Sequence, residues 1–480
     1  MKTSKSIIFT LLFTIILASC NMDKYPYDKI PLESAIESFA DCQKLRTGMY
    51  RDLRIIAVST NVLAAEIQAD GFLPLSYFGN QLGALYRWEA NASESTFSTI
   101  WSNSYVTIAQ CNLLIEGIKR LQTEGKFSDS ELPTVKNYLG EAHLIRAIAY
   151  SILADKFCAT YDPATAENFY GVPIVDEYSP SADNTKYPSR ATLAATYSFI
   201  KDDIKQAKEN MTATGQHSFE YLSTDALTAF EARIALLTKD YDTAIDCAEG
   251  LIKDGRYPLI NNAAQMQEMW RNDVSTEVIC QLFSSKQELA PAMGNYFLDE
   301  TNDIRVNCYF KMEDISFSTN EKHRLAVFTK YPGNPEMYEG VNNYVNKPKI
   351  FRIAEQYLIA AEAYYMRGEG EDELAAYDVL YELMYARDAS ISFNPVSGLS
   401  LRHLIRAERE RELYGEGFRL TDLKRYGEGF KRQNPQSVQL SYELGMDLNI
   451  KADNTRWLWA IPKAETDANP QIKYQQNPGY

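Results

Sequence analysis

No two of the seven cysteines form a CxxC pair, and the four histidines, His143, His217, His323 and His403, stand far apart. Metal sites and thiol redox centres usually show closely spaced ligands, so this pattern points to no metal centre and no cofactor. Motif-bearing chemistry is missing as well: the chain has no nucleophile elbow, P-loop, Rossmann glycine fingerprint or HExxH. Positive charge is in short supply, with 49 Lys and Arg against 64 Asp and Glu and a formal net charge of −15. Phosphate backbones and anionic bilayers are bound by clustered cations, which argues against nucleic acid as a partner. Beyond the first twenty residues, no apolar run approaches the roughly 20 residues of a membrane-spanning helix.

Those first twenty residues carry an address. Lys2 and Lys5 precede an apolar stretch from Ile7 to Leu17, which ends in Leu17-Ala18-Ser19-Cys20. A basic start, a short apolar stretch and small residues describe a cleaved export signal over residues 1–19. Small residues directly before a cysteine are the bacterial lipoprotein pattern, in which Cys20 is lipidated and becomes the first residue of the mature chain. The lipid is then the only membrane attachment expected. Cys42, Cys111, Cys158, Cys247, Cys280 and Cys308 remain. Cys111, within Ala109-Gln110-Cys111-Asn112-Leu113, reads as a small hydrophobe. A Cys280–Cys308 disulfide is compatible with an exported protein, but sequence does not select a pairing.

Helical periodicity dominates the rest. Trp101, Tyr105, Ile108, Ile115 and Ile118 share one face, and Leu139, Ala142, Ile145, Ala149 and Ile152 share another. Leu227, Phe230, Ile234 and Leu237 are followed almost at once by Tyr241, Ala244, Ala248 and Leu251. Ile353, Tyr357, Ala360 and Tyr364 precede Leu374, Tyr377, Tyr381 and Met384. Each set has amphipathic-helix spacing, and short polar turns such as Thr238-Lys239-Asp240 join them as hairpins. Alanines at packing positions let paired helices approach closely, as in tetratricopeptide-like units, although the period is irregular. Residues 71–94, 162–190 and 261–348 lack sustained helical patterning and read as long loops that carry the variable chemistry. The expected fold is predominantly α, with helix pairs packed against an irregular, loop-rich region.

Residues 402–425 concentrate charge. At helical spacing Glu408 falls near Arg411, Arg406 near Glu410, and Arg409 near Glu412, so each carboxylate has a local counter-charge and is a poor proton donor. The same reading couples Glu141 with Arg146 and Arg352 with Glu355. A structural ion-pair network is expected here, not a glycosidase acid–base pair.

Binding by stacking needs accessible aromatics beside planar polar groups: a sugar's C–H face packs on the ring while Asn, Gln, Asp and Arg read its hydroxyls. Three clusters have that composition. The first is Phe72, Tyr77, Phe78, Asn80 and Gln81; the second is Trp270, Arg271 and Asn272; the third is Tyr296, Arg305 and Tyr309. They are the candidate ligand contacts. Trp101, Tyr105, Tyr150, Trp88, Trp457 and Trp459 are assigned to structure, because 32 tyrosines and 5 tryptophans exceed what one ligand site can use.

Several landmarks together resemble the SusD/RagB family of outer-membrane nutrient-binding lipoproteins. They are Gly140-Glu141-Ala142 with Arg146-Ala147; Tyr187-Pro188-Ser189-Arg190; Phe351-Arg352-Ile353-Ala354-Glu355; Arg409-Glu410-Arg411-Glu412-Leu413 with Glu416-Gly417-Phe418-Arg419; Trp459-Ala460-Ile461-Pro462; and the terminal Gln476-Asn477-Pro478-Gly479-Tyr480. The resemblance implies a SusD-like α–α superhelix in which an N-terminal region (20–258) and a C-terminal region (259–480) pack as one body. It also implies a non-catalytic surface lipoprotein facing the cell exterior, whose partner is a SusC-like TonB-dependent transporter. The implied ligand is an oligosaccharide or polysaccharide, with a peptide as the alternative. A glycan-cleaving lipoprotein and a purely structural lid over the transporter are the remaining readings.

Overall fold

Helix signals and helix ends coincide along most of the chain. The computed structural model describes residues 36–58, 60–72, 82–284, 302–316, 322–432 and 449–480. The N-terminal half holds α1 (Phe39–Ala57), α2 (Thr60–Gln68), α3 (Gly83–Tyr86), α4 (Ser95–Thr123), α5 (Leu132–Phe157), α6 (Leu193–Asn210), α7 (Thr224–Leu237) and α8 (Tyr241–Asp254). Side-chain oxygens of Ser38, Thr192 and Ser223 cap α1, α6 and α7 by accepting the backbone N–H three residues on, which otherwise lacks a helical partner. Gly255 ends α8 in the left-handed conformation.

The chain continues through α9 (Ala263–Arg271), β1 (Val278–Gln281), α10 (Val306–Tyr309), β2 (Phe310–Ser316), β3 (Lys322–Phe328) and β4 (Lys349–Arg352). Then follow α11 (Ile353–Arg367), α12 (Asp372–Arg387), α13 (Gly398–Glu412), α14 (Arg419–Tyr426), β5 (Phe430–Lys431), β6 (Asn449–Ile450) and α15 (Lys463–Ala468). The strands pair antiparallel as β1–β4, β2–β3 and β5–β6. Residues 261–348, read as irregular from sequence, thus contain three short strands. β1 pairs with β4 across about seventy residues, and strands this short leave little local periodicity.

Helices α4 and α5, α7 and α8, and α11 and α12 pack as the expected pairs, while α8 and α13 lie against α11. Between α7, α8 and α11 the interface is rich in small side chains, Ala232, Ala235, Ala244, Ala248, Ala360 and Ala363, with Leu236, Ile245 and Ile359 filling between them. Both α5 and α11 are buried on every side over much of their length, including all of Ile353–Ala363. A helix buried on all faces marks the centre of a helical layer. One apolar core runs from Ile36 to Ile472 and draws on both halves of the chain.

Trp101, Tyr150, Trp88, Trp457 and Trp459 are all core, and Tyr105 is half-buried with its hydroxyl donating to the Pro173 carbonyl at 2.8 Å. The carboxy-terminal motif is a latch. Asn477 Nδ2 donates to the Phe157 and Trp459 carbonyls, both at 2.7 Å, and its Oδ1 accepts from Arg190 Nη1 at 2.9 Å. Arg190 also donates to the Gly171 and Gln475 carbonyls at 2.7 Å. Gln476 exchanges two 2.8 Å bonds with the Ile461 backbone. The landmarks at 187–190, 459–462 and 476–480 are therefore pieces of one hydrogen-bonded closure.

The ionic cluster is structural, but most of its partners are not the helical neighbours expected. Only Glu408–Arg411 holds, at 3.3 Å. Arg409 pairs with Asp422, Arg406 with Glu428, Arg146 with Asp203, Glu141 with Arg46, and Glu355 with Arg233. Buried side chains face other elements, so tertiary packing overrides spacing along one helix. Cys280 and Cys308 are free thiols in separate core clusters.

At the middle of the ionic cluster lies Glu412 at the end of α13. Its carboxylate accepts from Arg387 at 2.9 and 3.1 Å, Arg352 at 2.8 Å and Arg305 at 3.1 Å. Arg387 also holds Glu277 at 2.8 Å, Arg305 holds Asp303 and Glu408, and Arg352 holds Glu416. Burial pushes the Glu412 carboxyl up, but Arg387, Arg352 and Arg305 outweigh it and hold it well below its ordinary 4.5. A carboxyl that binds its proton more weakly when folded contributes stability above pH 4.5, and that contribution is lost as pH falls below it. We expect Glu412→Gln to lower stability at pH 7 by about 3–5 kcal/mol, since it leaves buried guanidinium groups uncompensated. Urea unfolding at pH 7 and pH 4 measures this, and the variant loses less on acidification than the wild type.

Candidate functional site

Of the candidate ligand contacts, Tyr77, Phe78, Asn80, Gln81 and Tyr296, like the lipidation residue Cys20, lie outside the described residues. Four others are interior. Phe72 stacks on Tyr414 at 5.0 Å and meets Phe328 edge-on at 5.3 Å. Trp270 is 2% exposed, edge-on to Tyr309 and Tyr331, with the ammonium of Lys330 over its ring at 4.5 Å. Tyr309 donates to the Glu412 carbonyl at 3.3 Å, and Arg305 is committed to Asp303, Glu408 and Glu412. The expectation that Phe72, Trp270, Arg305 and Tyr309 contact ligand is corrected: they form an aromatic and ionic core beneath the surface, and their faces are covered by protein. Composition alone does not separate an aromatic that plugs a loop from one that faces solvent.

Arg271 and Asn272 stay accessible, and they lead into a rigid loop assembly. The next residue, Asp273, is buried in the left-handed conformation (φ 58°). Its carboxylate accepts from Lys349 Nζ at 2.7 Å and from Asn334 Nδ2 at 2.7 Å. Burial depresses the Lys349 ammonium pKa, against the pull of Asp273. Asn346 ties the same region together: its Nδ2 donates to the Trp270 carbonyl at 2.8 Å, while its Oδ1 accepts from Gly333 N at 2.9 Å. Ser284 Oγ donates to the Asn346 carbonyl at 3.0 Å, and Leu282 N to the Pro348 carbonyl at 2.8 Å. Residues 271–284 and 331–349 are thereby one unit.

That unit presents apolar side chains outward. Phe283 is 63% exposed, Val274 64%, Val341 86% and Tyr344 45%. Tyr344 sits at φ 58°, a conformation that costs a bulky non-glycine residue about 1–2 kcal/mol. The turn enforces it: Tyr344 N donates to Asn342 Oδ1 at 2.8 Å, Val345 N to Asn343 Oδ1 at 3.1 Å, and Asn334 N to the Val345 carbonyl at 2.8 Å. Gly333 permits the crossing, because a Cβ there would meet Asn342 Oδ1 at 2.1 Å and Tyr344 Cα at 3.0 Å. Among the described residues, Leu82, Trp88, Ser218, Lys239 and Asp273 share this left-handed conformation, and of the two aromatics in the set Trp88 is buried and Tyr344 exposed. Sequence reasoning missed Phe283, Val341 and Tyr344. The run Asn342-Asn343 between Gly340 and Tyr344 was the available signal, since Asn residues close turns on their own backbone.

The architecture is a helical-repeat body whose irregular region carries the accessible loops. The chain belongs to the SusD family. The family's own profile matches residues 259–480, and a SusD-like profile described as starch-binding and associating with the outer membrane matches residues 22–236. A SusD-like protein P38 from Formosa agariphila is 24% identical over 279 residues, covering 57% of this chain and 50% of the relative. The match thus spans half the length of that curated relative. Among solved structures, a SusD superfamily protein from Bacteroides thetaiotaomicron superposes with a TM-score of 0.77 at 25% identity, over 92% of this chain and 100% of that one. A SusD superfamily protein from Bacteroides vulgatus gives 0.75 at 21% identity, over 93% and 100%. Surface glycan-binding protein A from Bacteroides fluxus gives 0.65 at 18%, over 92% and 99%.

Replacing Tyr344 separates folding from binding. Tyr344→Gly relieves the left-handed strain, while the added unfolded-state entropy offsets part of that gain. The unfolding free energy from urea titration is expected to stay within about 1 kcal/mol of wild type or rise, while ligand binding falls; an equal loss of both contradicts a functional role.

Proposed function

We propose that this chain is a non-catalytic outer-membrane lipoprotein that holds a nutrient oligosaccharide or polysaccharide on the loop unit 271–284 and 331–349. It then passes the ligand to a SusC-like TonB-dependent transporter. The observation that carries this reading is Tyr344, an aromatic held exposed against its backbone preference on a frame anchored by a buried ion pair. Phe283 and Tyr344 supply stacking faces, Arg271 supplies donors for hydroxyls, and Asn272, whose Nδ2 donates to Glu268 at 2.5 Å, offers its Oδ1 as an acceptor. The family's outer-membrane description and the glycan-binding relative support a carbohydrate ligand. Arg271 and Asn272 stand as proposed contacts on the same grounds.

A binding role also accords with the state of the acids. Glu412, Glu416 and Asp422 are buried against guanidinium groups that hold them ionised despite burial. Glu66, raised to about 7 by burial, is a proton donor by pKa, yet it is 1% exposed and accepts the Gly417 N–H. Neither arrangement offers an acid–base pair to a glycosidic bond. Attachment follows from Cys20, which we assign as the lipidated residue of a chain displayed outward.

Two experiments test this. The lipid-free chain on a glycan array should bind at least one neutral or acidic oligosaccharide, and Phe283→Ala with Tyr344→Ala should weaken that binding about tenfold or more. Binding to peptides with no glycan bound replaces the carbohydrate reading with the peptide alternative. Cys20→Ser should move the protein from the outer-membrane fraction to a soluble one; retention in the membrane contradicts the lipid tether.

A further inference from the structure

On a different part of the molecule, a cleft of about 460 Å³ opens between the loop after α5, the end of α14 and the carboxy-terminal latch. That volume is within the range of small-molecule clefts, roughly 300–1,000 Å³. Adjacent Phe169 and Tyr170 form one wall and are 46% and 49% exposed. Two large rings side by side are thereby left half in water at the mouth of a cleft.

The platform is built, and its backbone is fixed. Leu193 N donates to the Phe169 carbonyl at 2.8 Å, and Gly171 N donates to the Ala191 carbonyl at 2.8 Å. The guanidinium of Arg190 lies 5.2 Å from the Tyr170 ring centre. Gly171 is required for this close crossing, because a Cβ would fall 2.0 Å from Thr196 Oγ1 and 2.5 Å from the Thr192 carbonyl. Opposite, Gln476 and Asn477 are held by the latch.

Charge in the cleft selects the ligand. Lys424 donates to the Asp155 and Cys158 carbonyls, and Glu428 is paired with Arg406. Among the described residues lining the cleft, that leaves no uncommitted cation for an anion. Asn168 and Asp453 are exposed and free to meet a ligand's hydroxyls. Aromatic faces beside an amide and a carboxylate suit a ring with one apolar C–H face and several hydroxyls, whereas Asp453 repels a uronic acid.

We infer that this cleft is a second binding site, for one end of a neutral oligosaccharide, with Phe169 and Tyr170 as its stacking platform. The inference rests on the reading of the protein as a glycan binder, and it places a contact away from the loop unit bearing Tyr344. Two sites of modest strength on one rigid body hold a polymer longer than either alone through raised effective concentration.

Isothermal titration of the lipid-free chain 21–480 tests it, with maltoheptaose, laminarihexaose, mannohexaose and xylohexaose as neutral probes and oligogalacturonate as the acidic one. A neutral probe should occupy two sites per chain. Phe169→Ala with Tyr170→Ala should remove one site with the melting temperature unchanged, Tyr170→Phe should retain it, and Phe283→Ala with Tyr344→Ala should remove the other. Unchanged stoichiometry in the Phe169/Tyr170 variant overturns the second site and leaves the proposed function standing. Loss of a site only in that variant supports the cleft and overturns the loop unit. Oligogalacturonate filling the cleft in preference overturns its assigned chemistry, and a wild type that binds none of the neutral probes overturns the inference.

Discussion

The carboxylate of Glu412 among Arg387, Arg352 and Arg305 is the interaction on which the rest of this structure depends. These side chains come from α13, α12, β4 and the segment before α10, so one buried anion fixes four parts of the chain relative to one another. Burying so many charges is costly unless every one is paired, and a network of this kind specifies geometry more than it adds net stability. Arg352 carries the constraint onward: its guanidinium lies 5.3 Å from the Trp270 ring centre, and Lys330 and Lys349 are placed around the same ring. The frame of the loop unit thus stands on the ionic core. The residues that look most like catalytic machinery in the sequence hold the proposed binding face in place.

Much of the helical body was legible because its information is local. The stripes at 101–118, 227–237 and 353–364 declare their helices by spacing, and the alanines at 244, 248 and 360 declare close packing. The family landmarks were legible for the same reason, and the structure gives them physical content: Asn477 and Arg190 satisfy buried carbonyls that no helix or strand partners.

What was not legible was tertiary. Arg409 and Glu412 lie three apart on α13, yet each pairs across to another element, Asp422 and Arg387 among them. Trp270 and Tyr309 had the composition of a ligand loop and turned out to be buried beneath the unit 271–284 and 331–349. Tyr344 was one of 32 tyrosines, and Asn342-Asn343 beside it signals a turn but not an exposed ring; its strain exists only once Asn342, Asn343 and Gly333 close that turn around it. Short strands such as β1 and β4 are likewise products of pairing across about seventy residues, and no window of sequence contains both partners.

The central claim is that the rigid unit 271–284 and 331–349 meets the ligand while the ionic core beneath it stays unchanged. Amide hydrogen exchange of the lipid-free chain, with and without a bound neutral oligosaccharide, tests it most directly. The account predicts slowed exchange in residues 271–284 and 338–347, with no change in α11 or α13. Protection confined to other segments, or loosening of α13 on binding, would contradict it.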